Sequence, residues 1–385
     1  MHINPRKDPD KERYTDLGCG DRMPHLLVIT GTRPEIIKMA PIIRELNRLG
    51  IEYTYIHTGQ HYDYELSLKF IEDLNLPMPD IKFKLENREP AAQMGEMMLK
   101  LGRALNSERD STMLAQGDTN SMAAAVLVGI KSKLRVGHVE AGLRSHDWRM
   151  PEEHNRILAD HLSDILFAPT SKAKENLLKE NVHGTIYVTG NTVIDATLQH
   201  IGLADKMSNI TDELKFDDFI LVTAHRAENV DDPRTLKDFV EVFLEAPLPV
   251  VYPIHPRTKK NLREFGLWDK LSMSDNVQIL PPLGYFDFLK LMKSCRLIVT
   301  DSGGIQEEAT APPIRKPVIV MRKSTERPEA VEAGFAKVVG TKKEDILKGI
   351  EEFIESPPNL DRPSPFGDGK AGSRIVRILK DSDLL

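Results

Sequence analysis

The sequence predicts an α/β fold with two Rossmann-like, doubly wound domains that face each other across a cleft. Three observations lead to this fold class. The chain has 385 residues, which exceeds the usual size of a single hydrophobic core. Short β-branched runs alternate with amphipathic stretches, as in parallel sheets with crossover helices. Polar clusters follow the ends of most of these runs, where open parallel sheets bind their ligands.

The apolar runs predict six strands in each half of the chain. In the first half they cover 26–30, 52–57, 111–116, 135–140, 164–168 and 186–189, and in the second half 219–223, 250–254, 277–280, 297–300, 317–321 and 336–339. We therefore expect an N-terminal domain at 24–190 and a C-terminal domain at 191–369. A last amphipathic stretch, 370–385, predicts a helix that returns to complete the first domain.

Composition narrows the class of protein. Residues 1–22 are polar and charged without periodicity, so we expect a disordered extension there. The formal net charge of −6 gives no general attraction for nucleic acid. No apolar run has the length of a membrane span or of a signal-peptide core. The two cysteines indicate neither a disulfide framework nor a metal cluster. We therefore expect a cytoplasmic protein with no metal site and no nucleic-acid or membrane partner.

The most informative motif follows the predicted strand at 297–300. Ser302, Gly303 and Gly304 form a small-residue turn before a predicted helix. Free backbone N–H groups and the helix dipole favour an anion at such a turn, and glycine lets a phosphate approach the backbone closely. Glu308 lies about one helical turn further on, within reach of a sugar hydroxyl. The motif therefore predicts a phosphorylated, sugar-bearing ligand, with a plain glycine turn as the alternative.

Three carboxylates occupy positions suited to acid–base chemistry. Asp118 ends a strand, Glu140 closes a buried run, and Glu152 begins a helix after a proline. A carboxylate at the end of a buried strand is costly unless it is paired or used. The structural alternative for Asp118 is a helix N-cap. The alternative for Glu152 is an ordinary acidic residue in the first turn of a helix. For Glu140 the structural alternative is a buried ion pair with Arg144.

Cationic and imidazole side chains supply the complementary charge. Arg33 and Lys38 flank a tight turn and a helix start, where they are suited to neutralise a departing diphosphate. His225 ends a strand beside an arginine, where it fits a phosphate donor or a proton carrier. His255 has a similar but weaker setting. Solvated cations in a plain turn and structural histidines are the alternatives.

Two further positions complete the predicted binding site. Phe288 is suited to stack on a nucleobase, although its apolar neighbours also fit an ordinary helix face packed in the core. Arg327 lies between a strand and a helix start, where it is suited to clamp an anion.

The ordered set of motifs resembles the non-hydrolysing UDP-N-acetylglucosamine 2-epimerases from about Pro24 to the end of the chain. The motifs are GTRPEIIK at 31–38, QGDT at 116–119, HVEAGLR at 138–144, PEEHNR at 151–156, TAHR at 223–226, DSGGIQEE at 301–308 and TERPE at 325–329. The resemblance implies a glycosyltransferase-B type fold with UDP bound by the C-terminal domain. It also implies that a cytoplasmic homodimer interconverts UDP-N-acetylglucosamine and UDP-N-acetylmannosamine, which feeds surface polysaccharide synthesis.

The resemblance also implies roles for individual residues. The family's catalytic positions correspond to Asp118, Glu140, Glu152 and His225. Its nucleotide- and sugar-contacting positions correspond to Arg33, Lys38, Phe288, Ser302, Gly303, Gly304, Glu308 and Arg327, to which we add His255 from its place after a strand. Bacterial members bind UDP-N-acetylglucosamine as an activator near a turn that here contains Gln60 and His61. Tyr62 replaces the arginine of that turn, so activation stays open.

The chemistry predicts an elimination mechanism without a cofactor. The C2 proton is weakly acidic, so cleavage of the C1–O bond to UDP must come first and must acidify C2–H. A carboxylate then takes the proton, which leaves 2-acetamidoglucal and UDP in the site, and no hydride moves. The alternatives are a hydrolysing epimerase, an epimerase of a related UDP-2,3-diacetamido sugar, a glycosyltransferase of the same fold, and a non-catalytic nucleotide-sugar sensor.

Overall fold

The computed structural model describes residues 25–60, 64–105, 111–382 and 384–385. It contains one seven-stranded and one six-stranded sheet, and every strand pair is parallel. The predicted fold class is confirmed. The predicted extension at 1–22 lies outside the described residues.

The first sheet has the order β3-β2-β1-β4-β5-β6-β7 and the second β10-β9-β8-β11-β12-β13. The strands are β1 Leu26–Thr30, β2 Tyr53–His57, β3 Ile81–Lys82, β4 Thr112–Gln116, β5 Arg135–Val139, β6 Ile165–Ala168, β7 Thr185–Val188, β8 Ile220–Thr223, β9 Val250–Pro253, β10 Val277–Leu280, β11 Leu297–Thr300, β12 Val318–Val320 and β13 Ala336–Val338. The expectation of six strands in the first half was wrong, because β3 has only two residues and shows no periodicity.

Helices connect the strands as crossovers. They are α1 Arg33–Leu49, α2 Tyr64–Asp73, α3 Pro90–Ala104, α4 Asn120–Lys131, α5 Pro151–Leu162, α6 Ser171–Lys179, α7 Thr192–Met207, α8 Ala227–Val230, α9 Pro233–Glu245, α10 Pro256–Glu264, α11 Trp268–Ser272, α12 Tyr285–Ser294, α13 Gly303–Glu308, α14 Pro328–Glu332, α15 Lys343–Glu355 and α16 Ala371–Asp381, with a 3-10 helix at Ile210–Glu213. Within the described residues, none of these helices has both the length and the apolar character needed to cross a bilayer.

Alternate residues of the first strand place helices on both faces of the first sheet. Leu26 and Val28 pack with apolar residues of α1 and α16, whereas Leu27 and Ile29 pack with α3 and α4. All four side chains are almost fully buried. Because side chains alternate along a strand, this pattern requires a covered sheet on both sides, as in a doubly wound fold.

Helix α16 follows the second sheet along the chain but packs on the first domain. Its apolar face, with Ile375 and Leu379, lies in the same core cluster as α1. Asp195 accepts hydrogen bonds from the N–H groups of Ala371 and Gly372, at 3.1 and 2.9 Å, at the start of this helix. The predicted domain boundary at 190/191 lies between β7 and α7, and it stays a prediction.

Candidate active site

The loops after four strands meet at the cleft between the two sheets. The strand order reverses between β1 and β4 in the first sheet and between β8 and β11 in the second. Ligands of open α/β sheets bind at such switch points, beyond the carboxyl ends of the strands. The predicted site residues Arg33, Asp118, His225 and Ser302 all lie in the loops that follow these four strands or at the helix starts after them.

Glu140 lies at the centre of the cleft, directly after β5. Its carboxylate Oε2 accepts Lys38 Nζ at 2.5 Å and Asn191 Nδ2 at 3.1 Å. Its Oε1 lies 3.5 Å from Nη2 of Arg327, which belongs to the second domain. Glu140 also has a φ of 74°. A left-handed conformation is strained for a residue with a side chain, and such strain clusters at functional sites.

Glu307 is a second carboxylate that shares these partners. It accepts Arg327 Nε at 2.5 Å, Asn191 Nδ2 at 2.9 Å and Lys38 Nζ at 3.3 Å. Burial raises the pKa of Glu307, although Arg327 and Lys38 oppose that shift. Because Lys38 belongs to the first domain and Glu307 to the second, the network joins the two domains across the cleft.

Asp118 lies after the neighbouring strand β4 and is half-buried. Arg156 of α5 binds its Oδ2 with Nη2 and Nε, at 2.5 and 3.0 Å, and also binds Glu153 at 2.7 Å. Burial alone would raise the pKa of Asp118, but Arg156 and Arg327 hold it below its usual value. Asp118 is therefore ionised at neutral pH. Its Oδ2 is engaged by arginine, and it is not the N-cap of α4, which is Thr119.

Glu326 gathers the arginines of the cleft. Its carboxylate lies 2.7 Å from Arg322, 3.3 Å from Arg226, 3.7 Å from Arg327 Nη1 and 3.9 Å from Arg156. These guanidinium groups hold the pKa of Glu326 far below its usual value, although burial alone would raise it. The cluster therefore places four guanidinium groups around one buried carboxylate on this side of the cleft.

His225 is positioned by a buried carboxylate at the end of β11. Asp301 accepts the backbone N–H groups of His225 at 3.0 Å and Arg226 at 2.9 Å, and His225 Nδ1 lies 3.5 Å from Asp301 Oδ1. The ring of His255 has its centroid 5.8 Å from that of His225. The two predicted histidines are therefore neighbours at the edge of the cleft.

The small-residue turn lies against the arginine cluster. A Cβ atom at Gly303 would meet Glu326 Oε1 at 2.5 Å, whereas at Gly304 it would meet no heavy atom of the described residues within 4 Å. Gly303 is therefore needed for close packing, and the space beside Gly304 is open. Burial raises the pKa of Glu308, at the end of α13, to about 7. Phe288 is half-buried and packs against the core of the second domain.

Other predicted residues lie further from this network. Arg33 is half-buried, with Cζ 5.9 Å from the ring centroid of Phe70. Glu152 is half-buried at the start of α5. Gln60 accepts hydrogen bonds from N and Oγ of Ser121, both at 2.8 Å, and His61 lies outside the described residues.

The structural alternative for Glu140 was also wrong. Arg144 does not pair with Glu140, because it binds Asp160 at 2.7 Å and Glu180 at 2.6 Å. Lys38 takes that place at Glu140.

Sequence reasoning left several members of the network unassigned. These are Asn191, Arg156, Glu307, Glu326 and Asp301. Arg156, Glu307, Glu326 and Asp301 lie within the sequence motifs, so their charges could have indicated that they belong to the site. Asn191 follows Gly190 at the end of β7 and resembles an ordinary helix cap, which it also is, since its side chain accepts Val193 N.

Two facing parallel sheets with a charged cleft define a two-domain α/β protein of glycosyltransferase-B type. The family model described as UDP-N-acetylglucosamine 2-epimerase matches residues 44–380. A UDP-N-acetylglucosamine 2-epimerase of Methanocaldococcus jannaschii is 46% identical over 363 residues, which cover 92% of this chain and 98% of the relative. The chain therefore belongs to the UDP-N-acetylglucosamine 2-epimerase family.

Solved structures agree with this assignment. The Methanocaldococcus jannaschii enzyme in complex with UDP-GlcNAc and UDP superimposes with a TM-score of 0.85 and 46% identity, covering 93% of this chain and 99% of that one. The Neisseria meningitidis enzyme bound to UDP-GlcNAc gives a TM-score of 0.82 and 34% identity, covering 93% and 100%.

Proposed function

We propose that this chain catalyses the reversible epimerisation of UDP-N-acetylglucosamine at C2 to UDP-N-acetylmannosamine, without releasing hydrolysed sugar. One observation carries the proposal. Lys38 of the first domain and Arg327 of the second converge on Glu140, at 2.5 and 3.5 Å, while Asp118 lies at the end of the neighbouring strand. Carboxylates and cations thus meet in one buried cleft, as elimination of a diphosphate beside a proton transfer requires.

The reaction begins with cleavage of the C1–O bond, and the electron pair leaves with the β-phosphate of UDP. Positive charge at C1 acidifies C2–H, a carboxylate takes that proton, and a C1–C2 double bond forms. The products held in the cleft are UDP and 2-acetamidoglucal. A proton then returns to the opposite face of C2, and a UDP oxygen adds again at C1 to give the epimer.

Cationic groups stabilise the departing diphosphate in this proposal. Arg327 Nη1 is buried and makes no hydrogen bond to a described residue, so it has a donor left for a phosphate oxygen. The open turn at Ser302 and Gly304 adds backbone N–H groups, and His225 and His255 lie beside it. Fixed donors that point at developing charge are an effective source of catalysis.

Carboxylates handle the proton. We assign the transfers to Asp118 and Glu140, because they follow adjacent strands and Asp118 is ionised. Glu152, which is half-buried at the start of α5, is assigned to supporting the cationic sugar or its hydroxyls. Groups with differing environments at one site are suited to act as acid and base in turn.

Retention of the intermediate distinguishes this proposal from a hydrolysing epimerase. The contacts of Lys38 with Glu307 and of Arg327 with Glu140 join the two domains at the cleft. Such closure excludes water and holds a reactive intermediate.

A second substrate is supported by a relative: the chain is 35% identical to a UDP-2,3-diacetamido-2,3-dideoxy-D-glucuronate 2-epimerase of Pseudomonas aeruginosa over 361 residues.

The test is incubation with UDP-N-acetylglucosamine in heavy water, followed by proton NMR. We expect UDP-N-acetylmannosamine with deuterium at C2 and no accumulation of free UDP. Retention of the original hydrogen at C2 would reject the mechanism, and accumulation of UDP with free N-acetylmannosamine would indicate hydrolysis. A parallel incubation with the 2,3-diacetamido uronate substrate decides between the two sugars.

Two further parts of the proposal concern assembly and control. The homodimer stays a prediction, which light scattering of the purified protein would test. Whether UDP-N-acetylglucosamine also activates the enzyme through Gln60 and His61 stays open, and a sigmoidal dependence of rate on substrate would support activation.

A further inference from the structure

His138 occupies a fully buried position in β5, two residues before Glu140. Its Nδ1 lies 2.7 Å from Oδ1 of Asp160 and its Nε2 lies 2.8 Å from the carbonyl oxygen of Gly117. A carbonyl oxygen only accepts hydrogen bonds, and so does an ionised carboxylate. A neutral imidazole has one N–H and one bare nitrogen, so it cannot donate to both partners.

Asp160 is ionised, which closes the alternative of a proton on the carboxylate. Its Oδ2 lies 2.7 Å from Nη1 of Arg144 and 3.0 Å from the N–H of Gly142. A guanidinium and a backbone N–H only donate hydrogen bonds, so this oxygen carries no proton, and the buried charge of Arg144 beside it favours the ionised carboxylate. Both nitrogens of the His138 ring must therefore carry hydrogen.

The charged groups around the His138 ring are Asp160 from α5, Arg144 beyond that carboxylate, and Glu140 at the end of the same strand. Burial alone would lower the pKa of His138, but Asp160, the Gly117 carbonyl and Glu140 raise it above the ordinary value of 6.5. A buried charge is tolerated only when it is paired and hydrogen-bonded, and here both conditions are met.

We infer that His138 is a buried imidazolium that acts as a positioning residue for both proposed proton-transferring carboxylates, Asp118 and Glu140. One ring nitrogen holds the carbonyl of Gly117, which has a φ of 81° and directly precedes Asp118. The other holds Asp160, whose second oxygen binds the N–H of Gly142, two residues after Glu140. The inference rests on the proposed function, because it assigns the ring to the geometry of those two carboxylates.

The geometry explains why one ring serves two loops. The N–H of Gly117 donates to Val139 O at 3.0 Å, so the ends of β4 and β5 are already joined beside the ring. When the ring loses a proton, it keeps only one of its two hydrogen bonds. Either the loop after β4 or the loop after β5 then loses its contact with the ring. A displacement of about 1 Å at a catalytic group costs on the order of 100-fold in rate.

The first experiment is ¹⁵N NMR of the full chain labelled at histidine. At pH 7 we expect the spectrum to show one buried ring with both nitrogens protonated. We expect the signals of that ring to disappear in His138→Gln. His200 is the matched internal comparison, because both of its nitrogens lack a hydrogen-bond partner among the described residues and burial lowers its pKa to about 3. A singly protonated His138 ring would overturn the inference, whatever the activity of the enzyme.

The second experiment is kinetic. His138→Gln should lower kcat about 100-fold with KM changed far less, because UDP contacts are untouched. Asp160→Asn removes the negative charge beside the ring, so the ring loses its proton at a lower pH. The alkaline limb of the plot of kcat against pH should therefore move to lower pH. His183→Gln, an exposed histidine, is the control and should leave both parameters unchanged.

The outcomes separate the two proposals. If the wild-type protein fails to place deuterium at C2, the proposed function is contradicted. The protonation state of the His138 ring, measured by NMR, does not depend on that result. A normal kcat in a folded His138→Gln protein, or an unmoved alkaline limb in Asp160→Asn, contradicts the positioning role. If His138→Gln does not fold, Asp160→Asn identifies the same ring, since Asp160 Oδ1 is its direct partner.

Discussion

The two edges of the cleft hold their functional groups in different ways. At the first domain's edge the proposed catalytic carboxylates are each bound by a cation, Glu140 by Lys38 and Asp118 by Arg156. At the second domain's edge the turn at Gly303 and Gly304 offers backbone groups and open space. The first edge therefore depends on charge pairing, whereas the second combines its arginine–glutamate pairs with a turn that lacks side chains. Substitutions at the two edges should fail in different ways.

The largest effect is expected at the first edge. Glu140→Gln and Asp118→Asn keep the size of the side chain but remove its basicity, so kcat should fall by about 100-fold to 10,000-fold, the range of general acid–base catalysis. Initial rates of epimerisation measure this, and Asp218→Asn, which removes an exposed partner of Arg296, is the control. Near-normal rates in a folded variant would remove that carboxylate from the mechanism.

A comparison of buried carboxylates at the two edges gives the next largest effect. Burial raises the pKa of both Glu35, in the first domain, and Glu308, in the second, to about 7 from an ordinary value of 4.5. Each then binds a proton more tightly when folded than when unfolded. The contribution to the free energy of unfolding is therefore present below pH 4.5 and is lost as the pH rises toward 7, by roughly 3 kcal/mol per group.

Denaturant unfolding of Glu35→Gln and Glu308→Gln at pH 5 and pH 8 tests this difference. Each variant should lose part of the pH dependence seen in the natural chain. Glu35 already accepts three hydrogen bonds from described residues, from the N–H groups of Gly31 and Thr32 and from the hydroxyl of Thr119. Saturating UDP should therefore alter the contribution of Glu308 and leave that of Glu35 unchanged. An equal response of both groups would contradict a ligand role for Glu308.

Steric substitutions at the second edge should have a smaller effect. A Cβ at Gly303 meets Glu326 Oε1 at 2.5 Å, and crowding of this kind costs about 1–3 kcal/mol, so Gly303→Ala should lower the free energy of unfolding by that amount. Gly304→Ala has open space in the free protein and should keep its stability. A weaker affinity for UDP in Gly304→Ala would then report close approach of the ligand, and unchanged affinity would place the phosphates elsewhere.

The sequence predicted the fold class and the edge at which the site lies, because both follow from strand periodicity and from where polar residues fall. It did not predict the partner of Glu140. Arg144 is close in sequence, but Lys38 reaches Glu140 through tertiary placement that periodicity does not encode. Sequence reasoning also singled out Glu308 and not the adjacent Glu307, since only the orientation of α13 shows that Glu307 faces Arg327.

The smallest expected effect concerns α16, the last helix, which packs against α1 near the start of the described residues. A Cβ at Gly372 of α16 would lie 2.9 Å from the carbonyl carbon of Pro41 in α1. Gly372→Ala should lower the free energy of unfolding by about 1–2 kcal/mol, because backbone at that distance yields little. Gly202→Ala in α7, where no described heavy atom lies within 4 Å of the new Cβ, should instead stabilise by about 0.4–1 kcal/mol. Equal effects of the two substitutions, measured by urea unfolding, would show that α16 does not need this close contact with α1.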